Sequence, residues 1–280
     1  MTAYTERHRA IRLGPRATAA LALITLLGIG VFGWPLLADR GSVIGDHAVD
    51  APWIFALLLP LLLAVVAATI ADQGLDAKAI AMLGVLAAVG AALRPLGAGT
   101  AGLEPMFFLL ILSARVLGPG FGFVLGATTI FASALLTGGV GPWMPFQMLA
   151  MGWVCLGAGL LPGADRLRGR RELWLLTSYG VVTSFGYGLV MNFQGWPIYT
   201  TGLPSGITFV AGDPIPDNLA RFLAYCLATS MGWDLGRALT TALCTLLLGT
   251  PVLKALRRAT RRAAFGTPVH FEQTGGLNSR

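Results

Sequence analysis

Charge is the scarcest property of this 280-residue chain: Asp, Glu, Lys and Arg together supply 12% of it, about half of the ~25% usual in a soluble globular protein. Hydrophobic residues supply 55% and mean hydropathy is +0.71. A soluble core does not absorb that much apolar surface, so a soluble enzyme with a bilayer anchor, a disordered chain and a secreted disulfide scaffold are all excluded. Only three cysteines occur, and Cys155, Cys226 and Cys244 fall in or beside apolar runs without metal-ligand spacing. They read as small hydrophobes rather than redox or zinc groups.

Other absences narrow the chemistry. Lys78 and Lys254 are the only lysines, and neither follows the glycine pattern of a nucleotide-binding loop, so ATP hydrolysis by this chain is not expected. His8 and His270 lie in the tails and His47 between apolar runs, which leaves no HExxH, Ser-His-Asp or Cys-His set inside a membrane. No catalytic residue, metal site or cofactor is expected. Carboxylates are missing from the middle of the apolar runs, whereas a proton- or sodium-driven carrier needs one on its ion path. No inverted repeat is evident either. Both points argue against a self-powered transporter.

What is abundant is apolar runs long enough for bilayer helices, about 20 residues for ~30 Å of hydrocarbon. Seven fall near residues 17–37, 52–71, 77–92, 106–117, 121–136, 143–161 and 173–191, the fourth of them short. The last apolar region, 219–253, is too long for one crossing. Counting back 20 residues from Lys254 reaches Asp234, so an eighth span is expected from there. Residues 219–232 then form a separate helix on the outer surface, with Leu219, Phe222, Leu223, Cys226 and Leu227 as its apolar face. The expected fold class is an all-α polytopic membrane helix bundle.

The net charge of +7 resembles that of a nucleic-acid binder until the basic residues are located. Sixteen of the twenty lie on one side of the predicted spans, at Arg7, Arg9, Arg12, Arg16, Lys78, Arg115, Arg166, Arg168, Arg170, Arg171, Lys254, Arg257, Arg258, Arg261, Arg262 and Arg280. By the positive-inside rule that side is cytoplasmic, which puts both termini inside a multi-pass protein of the plasma membrane. The partner this charge implies is the lipid bilayer, with no nucleic acid. The basic start followed by an apolar run also fits a signal peptide, but the run is long and its Leu36-Leu37-Ala38 end is a poor cleavage site, which favours a retained helix.

Polar and aromatic groups gather at the opposite, external ends of the spans. They are Arg94 and Glu104 around the glycine string 97–102, Trp143, Phe146 and Gln147, then Asn192, Trp196 and Tyr199, and finally Asp234 with Arg237. Ser184 and Tyr187 share a helical face with Gly180 and Met191. The glycine string follows a membrane helix rather than a strand, so it reads as a tight external turn. An outward pocket for a sizeable organic ligand is one reading of this cluster. Interfacial anchoring by Trp143, Trp196 and Tyr199, an Asp234–Arg237 ion pair that orients its helix, and helix-to-helix bonds from Ser184 and Tyr187 are the blander ones. The third span carries small residues at Ala77, Ala81, Gly84 and Ala88, which suit either internal packing or a partner subunit.

The segments LDAKAIAMLGVLAAVGAALRPLGAGTAG, LGPGFGFVLGATTIFASALLTGGVGPWMPFQMLAMGWVCLGAGLLPG and FLAYCLATSMGWDLGRALTTALCTLLLGTPVLKALRR resemble an S component of an energy-coupling factor (ECF) transporter, closest to actinobacterial-type S components grouped with cobalamin uptake. The resemblance implies a six-helix substrate-binding membrane core at 75–258, preceded by a basic cytoplasmic tail at 1–16 and two additional transmembrane helices at 17–72, and followed by a cytoplasmic tail at 259–280. It implies capture of a vitamin at the outer face through the loops 94–104, 137–143 and 192–218. It further implies that Ala77, Ala81, Gly84 and Ala88 dock an ECF coupling transmembrane subunit driven by two ATPase subunits. A membrane scaffold without a small ligand is the alternative. A lipid-modifying enzyme is disfavoured because no acid–base or nucleophile set converges.

Overall fold

A computed structural model describes residues 14–37, 77–97, 102–163, 166–200 and 202–263; the regular structure among them is helical, with no β-strand. Helix α1 (Pro15–Phe32) is followed by one more turn (Trp34–Leu37). Next come α2 (Ala77–Leu93), which tightens into a 3₁₀ turn at Arg94–Gly97, then α3 (Met106–Leu117), α4 (Pro119–Thr137), α5 (Met144–Leu160) and α6 (Arg170–Gly195). The chain ends in α7 (Ile215–Thr229) and α8 (Met231–Ala263). Proline stands in the first turn of α1, α4, α5 and α7, where its missing N–H costs nothing. Five helices, α1, α2, α4, α6 and α8, are long and apolar enough to cross a membrane, and α3 and α5 are shorter apolar helices. The protein is a multi-pass membrane helix bundle. The predicted span at 52–71, residues 1–13 and residues 264–280 lie outside the described residues.

The short fourth run turns out to be the axis of the bundle. All twelve residues of α3 are buried, although twelve residues make only ~18 Å of helix. Wrapped by protein on every side, α3 has no lipid face to match to the bilayer. It reverses into α4 through Gly118, whose φ of +106° is strained for any residue with a Cβ.

The tightest crossing joins α4 to α5. Gly118, Gly122 and Gly126 recur every four residues, a spacing that stacks them on one helix face. A Cβ on Gly122 would lie 2.8 Å from the Cys155 carbonyl oxygen, and one on Gly126 would lie 2.6 Å from that of Met151. Without lipid-excluding hydrophobicity to pull them together, membrane helices gain from such close van der Waals approach. Helix α1 docks on the far side of α5. The Trp153 indole donates to Thr25 Oγ1 at 3.2 Å, and the Phe32 ring meets Phe146 edge-on at 5.1 Å.

The predicted up–down order of the spans is visible in which charges meet. Lys78, Arg115, Glu172, Arg257 and the end of α8 gather at one end of the bundle. Arg94, Glu104, Gln147, Asp234 and Arg237 gather at the other. At the first end, Glu172 is fully buried in the opening turn of α6, where a negative charge suits the helix dipole. Its Oε1 accepts from Arg115 Nε at 3.3 Å and Arg257 Nη2 at 2.5 Å. The Arg115 guanidinium also donates to Leu161 O at 2.7 Å and Pro162 O at 3.1 Å, closing the end of α5. One carboxylate therefore ties four helices. Replacing Glu172 with Gln leaves Arg115 buried without its counter-charge and is expected to cost about 3 kcal/mol, read as a lower melting temperature in detergent; an unchanged melt would show the knot to be idle.

Helix α7 departs from its predicted orientation. Phe222 and Cys226 face inward as expected, with Asn218 and Tyr225 beside them, but Leu219, Leu223 and Leu227 point away from the bundle. The reason is that α7 is apolar around more than half of its circumference, and the shape of its partner decides which half is covered. That partner is the segment after α6, which folds into a cap with its own small core: Trp196, Phe222, Tyr225 and Cys226 are buried against Phe193, Leu203, Ile207 and Phe209. Burial pushes the Cys226 thiol above its ordinary range, with the Asn192 amide pulling the other way, which fits a small hydrophobe better than a nucleophile.

On α2 the small residues Ala77, Ala81, Gly84 and Ala88 are exposed, while Ala79, Leu83, Leu86, Ala87 and Gly90 are buried. A Cβ on Gly84 would meet nothing within 4 Å. Among the described residues, none packs closely on this stripe.

Candidate functional site

The end of the bundle that holds Arg237 is built around that side chain. It arises in the first turns of α8 and is 7% exposed, an environment in which an unpaired guanidinium is prohibitively costly. Its Nε donates to Glu104 Oε2 and its Nη1 to Asp234 Oδ1, both at 2.7 Å. Nη1 also reaches the Ser184 carbonyl of α6 at 3.0 Å. The guanidinium carbon sits 5.0 Å from the centre of the Tyr187 ring and 5.4 Å from that of Phe107, and those two rings meet at 90°. Two carboxylates and two ring faces thus enclose one cation.

Glycines let the backbones come close enough. A Cβ on Gly188 would fall on the Asp234 carboxylate, and one on Gly102, at φ +81°, would fall on the Trp233 carbonyl. The second contact presses the end of the glycine string onto α8 and carries Glu104 to Arg237. A Cβ on Gly97 would fall on the Leu103 carbonyl, and the expected turn between them, residues 98–101, lies outside the described residues.

Asn192 extends the cluster toward the cap. Its amide donates to Ser230 Oγ at 2.5 Å, at the break between α7 and α8, and the Ser230 hydroxyl donates in turn to Cys226 O at 3.0 Å. On the other flank, Arg94 donates to Ser133 Oγ at 2.8 Å and to Gln147 Oε1 at 3.1 Å. Both groups of polar side chains lie at this end of the bundle.

Of the predicted ligand-binding residues, Arg94, Glu104, Gln147, Tyr187, Asn192, Asp234 and Arg237 converge here. Ser184 takes part through its carbonyl, since its hydroxyl donates to Gly180 O within its own helix at 2.7 Å. The Asp234–Arg237 ion pair is present. Phe146 is buried in the main apolar core. Trp196 is the centre of the cap, its indole bonded to Ile207 O at 2.7 Å. Trp143 and Tyr199 are exposed at 39% and 53%.

Ser133, Phe107, Gly188 and Ser230 were not singled out from sequence. Ser133 was detectable as a hydroxyl in an apolar run, whereas the others acquire meaning only from their neighbours. The polar groups bond mainly to one another. An open depression of about 400 Å³ nearby, at the α7–α8 elbow, is lined by Leu227, Ala228, Thr229, Met231, Gly232 and Trp233, none of them a predicted site residue. No protein-family model, curated protein or solved structure matches the chain.

Proposed function

We propose that this chain is the substrate-capture subunit of an ATP-driven vitamin importer, an S component of the energy-coupling factor type, with cobalamin or a related corrinoid as its first ligand. The observation that carries the reading is the polar patch itself. The turn after α2 and helices α3, α4, α5, α6 and α8 all contribute to it, at one end of a bundle whose remaining described interior is apolar apart from scattered hydroxyls, Gln194 and Asn218 beside the cap, and the Glu172 knot. A patch of hydrogen-bonding groups and rings suits an amide-rich organic ligand. The six-helix core of this reading is α2 to α6 with α8, α7 belongs to the cap, and α1 is an N-terminal addition. The positive-inside rule puts the Arg237 end outside and both termini in the cytoplasm of the plasma membrane.

The power source is external. The buried acids Glu172 and Asp234 are held in ion pairs at opposite ends of the bundle, so ATP hydrolysis is assigned to two ATPase partners acting through a coupling transmembrane subunit. The outward stripe of Ala77, Ala81, Gly84 and Ala88 supports docking of that subunit, because small residues let a second helix approach closely. A scaffold without a small ligand is favoured by one fact: the Arg237 cluster is already satisfied by its own neighbours. Binding of a vitamin panel to the purified full chain separates the two. Submicromolar binding of one vitamin, weakened by Gln147→Ala, is the expected result, together with co-purification of a coupling subunit and ATPases that Gly84→Leu abolishes. No binding across the panel would leave the scaffold.

A further inference from the structure

The two arginines of the patch differ in their counter-charge. Arg237 faces two carboxylates. Arg94 is half-buried, and its partners are two neutral oxygens, Ser133 Oγ and Gln147 Oε1. Among the described residues no carboxylate lies within ion-pair distance of it. A cation held out of water by neutral acceptors alone is under-compensated.

The geometry leaves room for the missing partner. A guanidinium has five N–H donors in a planar fork, and the two bonds to Ser133 and Gln147 occupy one N–H on each Nη. Ser133 is fixed in turn by donating to Ile130 O at 2.9 Å. Gln147, its oxygen taken by Arg94, has its amide NH₂ free to act as a second donor. Three separate elements thus orient one cation: the turn after α2 carries it, and α4 and α5 steady it. The unused donors of such a fork match a carboxylate or phosphate.

We propose that Arg94 is an anion anchor, and that the ligand taken at this end carries a carboxylate or phosphate group bound by Arg94 with Gln147 beside it. This rests on the ligand-capture reading and narrows it to acid-bearing ligands. The same chemistry is offered by phospholipid headgroups, and the test separates the two sources.

The full chain is purified in neutral detergent as wild type, Arg94→Gln and Arg94→Lys. Inorganic phosphate is titrated against chloride at constant ionic strength while thermal denaturation is followed. Phosphate is expected to stabilise the wild type, with the response weakened about 10- to 100-fold in Arg94→Gln and partly restored in Arg94→Lys. An identical response in wild type and Arg94→Gln overturns the anchor. Cobinamide phosphate and cobinamide, which differ only in the phosphate, are then compared on the wild type, a measurement that needs no variant to fold. A preference of about tenfold or more for the phosphate form supports the anchor, and equal binding overturns it. Nanodiscs of phosphatidylglycerol or phosphatidylcholine form the lipid arm. Arg94-dependent stabilisation by phosphatidylglycerol, with no soluble vitamin bound, keeps the anchor and removes the capture reading; a vitamin bound without dependence on Arg94 does the reverse.

Discussion

Replacing Arg237 with Met is expected to cost about 3–5 kcal/mol of stability and, on the proposed capture function, to abolish ligand binding together with it. The loss does not come from the bonds broken alone. Asp234 and Glu104 stay behind with side chains 8% and 24% exposed, and a buried carboxylate without its partner retains its full desolvation cost. The same accounting predicts a rescue. Adding Glu104→Gln and Asp234→Asn to Arg237→Met removes both stranded charges, and most of the stability should return, since a buried ion cluster exchanged for neutral groups of similar shape is close to neutral. Thermal denaturation in detergent reads the single and triple variants side by side. A triple variant no more stable than the single one would show that the cluster acts through shape rather than charge. Ligand capture should stay lost in the triple variant, because the fold recovers while the donors and acceptors do not.

The second large effect is expected at Gly122. A Cβ there would lie 2.7 Å from Ala114 Cβ and 2.8 Å from the Cys155 carbonyl oxygen, separations that real Cβ atoms do not adopt. One neighbour belongs to α3 and the other is rigid backbone of α5, so neither yields by a rotamer change. Gly122→Ala is expected to cost roughly 1–3 kcal/mol of overpacking, and Gly122→Leu to leave no monodisperse protein on gel filtration. Gly84→Leu is the matched control, the same change on another glycine of a membrane helix. Its side chain enters open space, so the protein should remain monodisperse and melt normally. If both leucine variants behave alike, the α4–α5 crossing is not the tight contact described.

The contrast between these glycines shows where sequence is legible in a membrane bundle. Span boundaries follow from apolar runs and their charged ends, because the bilayer imposes a length on each crossing. Counting back from Lys254 puts the break between 232 and 234, and the helices separate a few residues earlier, at Ser230. What a helix turns toward is harder to read. Lipid and protein interior are equally apolar, so Leu219 and Phe222 carry the same hydrophobic signal although one faces outward and the other is buried. The Gly118, Gly122 and Gly126 repeat was readable as a packing stripe, and the α2 stripe attracted attention instead. The polar patch was half legible. Its members were identifiable as polar groups at one set of span ends, but the Arg94–Gln147 and Glu104–Arg237 pairings join residues far apart in the chain. Arg115 was read as a topology marker, and nothing in its local sequence announces that it shares Glu172 with Arg257.

The axial position of α3 also constrains how the protein is made. A twelve-residue helix is too short to hold a bilayer crossing by itself, so its insertion is expected to depend on α4. Its two ends then wait for the last helix to be synthesised: Glu104 for Arg237, and Arg115, through Glu172, for Arg257. Until α8 emerges from the ribosome, Glu104 lacks Arg237, Glu172 lacks Arg257 and α3 lacks one wall of its sheath. A chain truncated before α8 is therefore expected to be degraded faster than the full chain, which a pulse-chase of the two measures.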